Sequence, residues 1–316
     1  MNALWKKQEF CDFVESRPHD FVDCDEIAVW IDNIPKRKYW GLNPNDEDKY
    51  LYRWLMILVA SVYDPSVTLE TDDKALCRII SKYGPSKKWL KAQEQYLSKY
   101  RDDFMSSQRK DATFDIIHGY SQYGDVVLNS YLREMMSLDE IDDYMRQKAV
   151  FEYVLPDEDL EIRLRYMVNS LNDLIEKAPK LEKDIIVYRG VYKTQFQPGD
   201  TIPIKGFLST SIHIGVALNF TRGGTSPTLL VIHVPAGTPC ICNAFQSWDS
   251  QEAEILFATG INIIVKTCEP DVLVPSIDDT SSPHEEDDDY DWGFSCSFDK
   301  SLSIYHCAIS EKSGDK

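Results

Sequence analysis

Basic charge is scarce in this chain. Its 34 lysines and arginines face 52 aspartates and glutamates, a formal net charge of −18. So acidic a surface repels phosphate backbones and anionic bilayers, which excludes nucleic acid and membrane insertion as modes of action. It does not exclude a basic cleft, because net charge says nothing about one pocket. Long apolar runs are missing too. The most apolar stretch, Tyr50 to Val62, is too short to span a bilayer and carries Arg53. It predicts a buried helix stopped near Pro65. The opening Met1-Asn2-Ala3-Leu4-Trp5-Lys6-Lys7 runs straight into polar sequence without the apolar core of a signal peptide, so the expected location is cytoplasmic, in the producing or a host cell. Eight cysteines lack a framework of close pairs, which favours reduced structural thiols. Cys240-x-Cys242 has no matching second pair, and alternate strand positions share a face, so it reads as core filling rather than a metal site. The six histidines show no ligand spacing. No metal is expected, and no internal repeat is visible.

What is present can build an ordinary core, with 43% hydrophobic and 12% aromatic residues in 316, enough for one large domain or two modest ones. The first half reads as helical. Candidate helices are Glu47 to Val62, then Ser86 to Ser106 entered after Gly84-Pro85, then Thr113 to Met135. Asp157 to Ala178 follows, with Ile162, Leu164, Met167, Leu171, Leu174 and Ile175 near a 3.6-residue period. After Lys183 the texture becomes β-branched and aromatic. Candidate strands are Ile185–Tyr188, Thr201–Ser209, Leu229–Val234, Glu254–Ala258, Ile261–Thr267 and Leu302–Ile309, with a short helix at Ile212–Phe220. Helices first and strands second predict an α+β fold rather than alternating βαβ units. Asp278 to Asp291 contains Glu285-Glu286-Asp287-Asp288-Asp289 and no lysine or arginine, which predicts a flexible acidic insertion before the last strand. It lacks the glycine and fixed ligand spacing of a calcium loop.

Three short signatures stand in order between Tyr188 and Phe257. They are Tyr188-Arg189-Gly190, Phe207-Leu208-Ser209-Thr210-Ser211 and Glu252-Ala253-Glu254. Each has a plain structural explanation when taken singly. Arg189 at a strand end can be an ion-paired surface residue or a fork for phosphate. Ser211 is placed to cap the helix that follows. Glu252 and Glu254, two apart, would share one face of an extended backbone. Like charges that close are unfavourable unless they serve something or face solvent.

Taken in order, the three signatures resemble the Arg…Ser-Thr-Ser…Glu-x-Glu pattern of the mono-ADP-ribosyltransferases, in the branch that includes the enzymatic components of clostridial binary toxins. The resemblance runs from about residue 110 to the C-terminus. It includes Ile117-His118-Gly119-Tyr120 and Val127 to Arg133, similar to a helical element ahead of the catalytic strands that would help cover the NAD cleft. It implies two roughly perpendicular antiparallel sheets with NAD between them, flanked by helices. The catalytic domain would span 106–316, with 1–105 as a helical N-terminal region of its own.

The same resemblance implies roles. NAD is the co-substrate, a pyrophosphate dianion whose cationic nicotinamide ring leaves as neutral nicotinamide, and no metal is needed. Arg189 and Gly190 match the NAD-binding strand end. Ser209 matches the serine that contacts the nicotinamide ribose and helps hold the catalytic glutamate, and Thr210 supports that strand. Glu254 matches the glutamate that stabilises the oxocarbenium-like ribose, and Glu252 the residue that engages the acceptor, where a glutamate marks arginine-directed members. Phe220 and Arg222 fall in a region resembling the phosphate–nicotinamide loop. There Phe220 has two readings, nicotinamide platform or core residue, and Arg222 is placed to meet a phosphate. Trp248 likewise is either a docking aromatic for the target or a loop anchor. The implied function is NAD-dependent transfer of ADP-ribose to an arginine of a target protein. Its rivals are NAD hydrolysis and a non-catalytic interaction module.

Overall fold

A computed structural model describes residues 55, 60, 62–64, 82–105, 113–152, 154–192, 195–221, 227–242, 253–278 and 295–310. Helices come first: α1 (Lys87–Met105), α2 (Thr113–Gly119), a π-helical turn (Tyr120–Gly124), α3 (Asp125–Arg133), α4 (Leu138–Lys148) and α5 (Leu160–Lys177). The strands follow: β1 (Ile185–Tyr192), β2 (Thr201–Pro203), β3 (Leu208–Ser211), β4 (Pro227–Val234), β5 (Ile241–Cys242), β6 (Glu254–Phe257), β7 (Asn262–Asp278) and β8 (Ser295–Ser310). One short helix, α6 (Ile214–Asn219), interrupts them. The α+β order anticipated from the sequence is the order found.

Hydrogen bonding joins the strands in the order β2-β7-β8-β4-β1-β3-β6-β5. Every pairing is antiparallel except β4–β8, which is parallel. The join between β1 and β3 is a single residue pair, Tyr188↔Ser211, whereas β1 and β4 pair along their whole length. The sheet is therefore two halves hinged at one point, β2-β7-β8-β4-β1 and β3-β6-β5. Strand alternation gives each half two faces. Ile185, Val187, Leu230, Ile232, Val265 and Cys307 of the first half pack with Leu208, Ile255 and Phe257 of the second. The opposite face of the second half, with Leu256 and Ile241, buries the stripes of α2, α3, α4 and α5. The opposite face of the first half, with Ile186, Tyr188, Leu229 and Val231, is covered by Leu218 and Ala217 of α6 and by Leu55. Of the apolar run Tyr50–Val62, the described Leu55 and Ala60 are buried, at 0% and 1% exposure.

The single helix expected over Thr113–Met135 is α2, the π-turn and α3 in succession, closed by Glu134 in the left-handed region at φ 57°. Gly119 and Gly124 sit inside it because the Phe151 ring lies against both; a Cβ would come within 2.5 Å and 2.2 Å of that ring. Helix α4 was not anticipated, although its signal is in the sequence. Ser137-x-x-Glu140 forms a capping box, with both reciprocal bonds made. Only Ile141 and Met145 of α4 are buried, too few for a visible period. The stretch Thr201–Ser209 is broken into β2 and β3, because Gly206 sits under α3, where a Cβ would lie 2.2 Å from Asn129 Oδ1.

Helix α1 packs on the sheet through Trp89, Gln93 and Leu97. The Gln93 amide is fully buried. Its Nε2 donates to the carbonyls of Pro179 and Cys240, at 2.8 Å and 3.1 Å, and its Oε1 accepts from Cys242 N at 3.2 Å. Cys240 and Cys242 are core residues, as expected, at 0% and 1% exposure. The acidic run after Asp278 lies outside the described residues. It connects strands β7 and β8, which pair as far as Asp278↔Ser295. Among the described residues, no helix is long and apolar enough to cross a membrane.

Candidate active site

The three signatures occupy neighbouring strands. Arg189 and Gly190 lie on β1, Ser209-Thr210-Ser211 on β3 and Glu254 at the start of β6, and these are consecutive in the sheet. Ser211 pairs with Glu254 and Ser209 with Leu256, so the second and third signatures are held in register by the ladder itself. Together with the π-turn, α3 and α6 they line one cleft of about 320 Å³.

Arg189 donates from Nη1 to the backbone carbonyl of Ser209. Burial pulls its guanidinium down from the ordinary arginine value; Tyr120, Glu254 and Asp125 oppose that drift, and Arg133 adds to it. A desolvated cation in a cleft gains most from an anionic ligand. Gly190 follows because the strand passes directly under α6, where a Cβ would stand 1.9 Å from the Ala217 carbonyl oxygen.

Ser209 is half-buried at the cleft wall. Thr210 is buried, and its hydroxyl donates to the Ile255 carbonyl at 2.8 Å, stapling β3 to β6. Ser211 is not the helix cap that the sequence suggested. Its Oγ accepts from His213 N at 2.9 Å, and the capping acceptor of α6 is His213 Nδ1, which takes Gly215 N at 3.2 Å. Burial holds the His213 imidazole at about 4, so it is an uncharged acceptor at neutral pH.

Glu254 is 7% exposed, although it lines the cleft. Ala253 before it takes a φ of 45°, a strained turn that aims the start of β6. Phe220 ends α6 and is 55% exposed at the cleft wall, which rules out its reading as a core residue. Arg222, Trp248 and Glu252 lie outside the described residues.

Helix α3 belongs to the element that the resemblance sets over the NAD cleft, and it supplies cleft residues to which the sequence reading gave no individual role. Asp125, Asn129 and Arg133 line the cleft at spacings of four, one face of the helix. Burial raises the Asp125 carboxyl, and its own and the Val126 backbone N–H groups lower it. Asn129 is a two-way latch: its Oδ1 accepts from Phe207 N at 2.8 Å, and its Nδ2 donates to Tyr120 Oη at 3.2 Å. Burial, and then the Glu254 charge, push the Tyr120 phenol above its ordinary value, so the hydroxyl keeps its proton. The signal for these residues was the i, i+4 recurrence of polar groups on a helix whose other face is apolar. Among the described residues, no cluster of histidine, cysteine, aspartate or glutamate is arranged to hold a metal.

The sequence model of the ADP-ribosyltransferase exoenzyme family matches residues 86–282. The chain belongs to this family, whose reaction is the NAD-dependent transfer of ADP-ribose. Solved structures similar to it include Vis toxin, an ADP-ribosyltransferase from Vibrio splendidus, at 16% identity over 75% of this chain and 92% of that one, with a TM-score of 0.41. The ADP-ribosylating toxin BECa of C. perfringens, solved with NADH, is 16% identical over 71% of this chain and 47% of that one, with a TM-score of 0.43. The Salmonella SpvB ATR domain is 17% identical over 64% of this chain and 100% of that one, with a TM-score of 0.43. No curated protein sequence matches. The family assignment rests on the sequence match.

Proposed function

We propose that this protein is an arginine-directed mono-ADP-ribosyltransferase of the Arg/Ser-Thr-Ser/Glu-x-Glu class, acting on a target protein. The observation that carries this reading is the convergence of Arg189, Ser209 and Glu254 from three consecutive strands into one cleft. A cation, a hydroxyl and a carboxylate are what the glycosidic bond of NAD requires. Arg189 holds pyrophosphate, Phe220 offers a flat apolar surface to the nicotinamide ring, and Glu254 with Ser209 holds the adjoining ribose.

In the reaction the bond between ribose C1′ and the nicotinamide nitrogen breaks. The electron pair leaves with nicotinamide, which departs neutral and needs no general acid. Positive charge develops on the ribose, where the fixed carboxylate of Glu254 stabilises it. An acceptor guanidinium nitrogen then bonds to C1′. That nitrogen is protonated at any ordinary pH, so its attack needs a carboxylate to orient it and take the proton. Glu252, two residues before Glu254, is assigned this role. Trp248 is assigned to docking of the target.

The test is incubation of the purified chain with labelled NAD and a cell lysate, with Glu254→Gln and Glu252→Gln alongside. Wild type should label protein on arginine. Glu254→Gln should lose nicotinamide release and transfer together, by roughly 100-fold or more. Glu252→Gln should lose transfer far more than hydrolysis. Nicotinamide release without labelled protein would make the chain a glycohydrolase, and NAD binding without cleavage would make it an interaction module.

A further inference from the structure

The connection from α4 to α5 is strained. Ala149, Phe151 and Leu155 take left-handed backbone, at φ 51°, 60° and 45°, and none of them is glycine. Ala149 caps α4, an ordinary place for that conformation, but Phe151 and Leu155 end no helix. Bulky residues adopt it only where their surroundings hold them in it. Here the holder is Arg163 of α5. Its Nε donates to the Val154 carbonyl at 2.9 Å, and its Nη2 donates to the Phe151 carbonyl at 3.0 Å. Arg163 stands near the start of its helix, where the dipole disfavours a cation, so α5 itself does not account for it.

The strained connection delivers one ring. Phe151 is 5% exposed and lies against Gly119 and Gly124, the two glycines that bracket the π-turn. The three atoms nearest a Cβ at Gly119 all belong to that ring, and a Cβ at Gly124 would meet the ring and the Gly119 carbonyl. A π-turn is rare and mostly occurs as a single turn set into an α-helix. This one is closed by a bond from the Asp125 N–H to the Tyr120 carbonyl. It takes in one more residue than an α-helical turn. Plain α-helix in its place would rotate α3 about its axis by roughly 100°, the step of one residue. Such a rotation would carry Asp125, Asn129 and Arg133 off the cleft and break the bond between Asn129 and Tyr120. Neither Phe151 nor Arg163 lines the cleft.

We propose that Phe151, locked by Arg163, is a positioning residue for NAD. Its ring wedges the π-turn open and so fixes the rotation of α3 and the place of Tyr120. This rests on the reading of the cleft as an NAD site.

The experiment measures kcat and KM for nicotinamide release from NAD, together with thermal unfolding. The chains compared are wild type, Phe151→Ala, Arg163→Met, the two combined, and Ile175→Ala. Ile175 is buried at the far end of α5 and controls for lost stability alone. At a temperature where all are folded, Phe151→Ala should lose roughly ten- to a hundredfold in kcat/KM, most of it in KM. Arg163→Met should lose in the same sense, and the double variant no more than Phe151→Ala, because the two residues act as one device. Ile175→Ala should lower the melting temperature and keep the kcat/KM of wild type. Wild-type kcat/KM in Phe151→Ala and Arg163→Met would overturn the proposal. So would additive losses in the double variant, or a loss in Ile175→Ala as large as that in Phe151→Ala. Should Phe151→Ala fail to fold, Arg163→Met, which leaves the ring in place, carries the test. A wild type that neither binds nor cleaves NAD would overturn the functional reading, and this proposal with it.

Discussion

Arg189 of β1 and Ser209 of β3 are joined by a hydrogen bond from the guanidinium to the serine's backbone carbonyl. The bond crosses the point where the two halves of the sheet meet at Tyr188↔Ser211. One side chain thus both faces the cleft and ties down the strand that presents the Ser-Thr-Ser signature.

A lysine at this position keeps the charge but loses the planar fork, so it cannot hold the Ser209 carbonyl and a phosphate in the same geometry. Arg189→Lys should weaken NAD by about tenfold or more, read by titration. It should also increase hydrogen exchange at the amides of β3. Wild-type affinity in Arg189→Lys would reduce Arg189 to a generic positive charge.

Gly190→Ala should lower the melting temperature. The added Cβ would meet the Ala217 carbonyl at 1.9 Å, a backbone atom that no rotamer change can move. Helix α6 must lift from β1, at a cost of about 1–3 kcal/mol, in line with overpacking elsewhere. Because α6 carries Val216, Ala217 and Phe220 into the cleft, NAD binding should weaken as well. Thermal unfolding unchanged from wild type would show that the helix is not seated as described.

Acid should destabilise the fold through His213. Its folded-state value, about 4, lies below the ordinary 6.5, so the unfolded chain binds the proton more readily between those limits. The stability it contributes is full above about 6.5 and is lost as pH falls toward 4. His213→Asn keeps a capping oxygen without a titrating group. Denaturant midpoints measured across that window should fall with acid less steeply in His213→Asn than in wild type, and identical slopes would remove His213 as the cause.

The helices α1 and α5 and the cores of the long strands were legible because each carries one clear period: Leu164, Met167, Leu171, Leu174 and Ile175 on α5 bury one stripe. The ends of β7 were not. Its sequence passes through Pro270 and Pro275, which argue against a strand. Both fall at register shifts, between Glu269 and Val272 and between Val274 and Ser276, so no ladder bond is lost to them. They also lie beyond Ile264, the last β7 residue that pairs with β2, so β7 has a single partner there.

In the cleft, Arg189, Gly190, Ser209, Thr210, Phe220 and Glu254 were singled out from the sequence and do come together. The strand signatures were readable because each sets unusual chemistry beside a β-branched or apolar run, although Arg189 lies inside β1, which runs on to Tyr192, and not at the strand end that the sequence suggested. Tyr120 and Asn129 were harder to see. Their significance is a contact with Phe207, which is 78 residues from Asn129, and no local pattern announces a contact at that range.

The buried amide of Gln93 has a consequence for how the protein behaves in concentrated solution. Among the described residues strand β5 ends the sheet, and a terminal strand offers unpaired backbone groups to any passing extended chain. Gln93 occupies the Cys240 carbonyl and the Cys242 amide from the side of α1, as one residue of a further strand would. Among the described residues, strand addition at β5 would have to displace Gln93 from these two backbone groups, so edge-to-edge association through the half that carries Glu254 would first require α1 to come away.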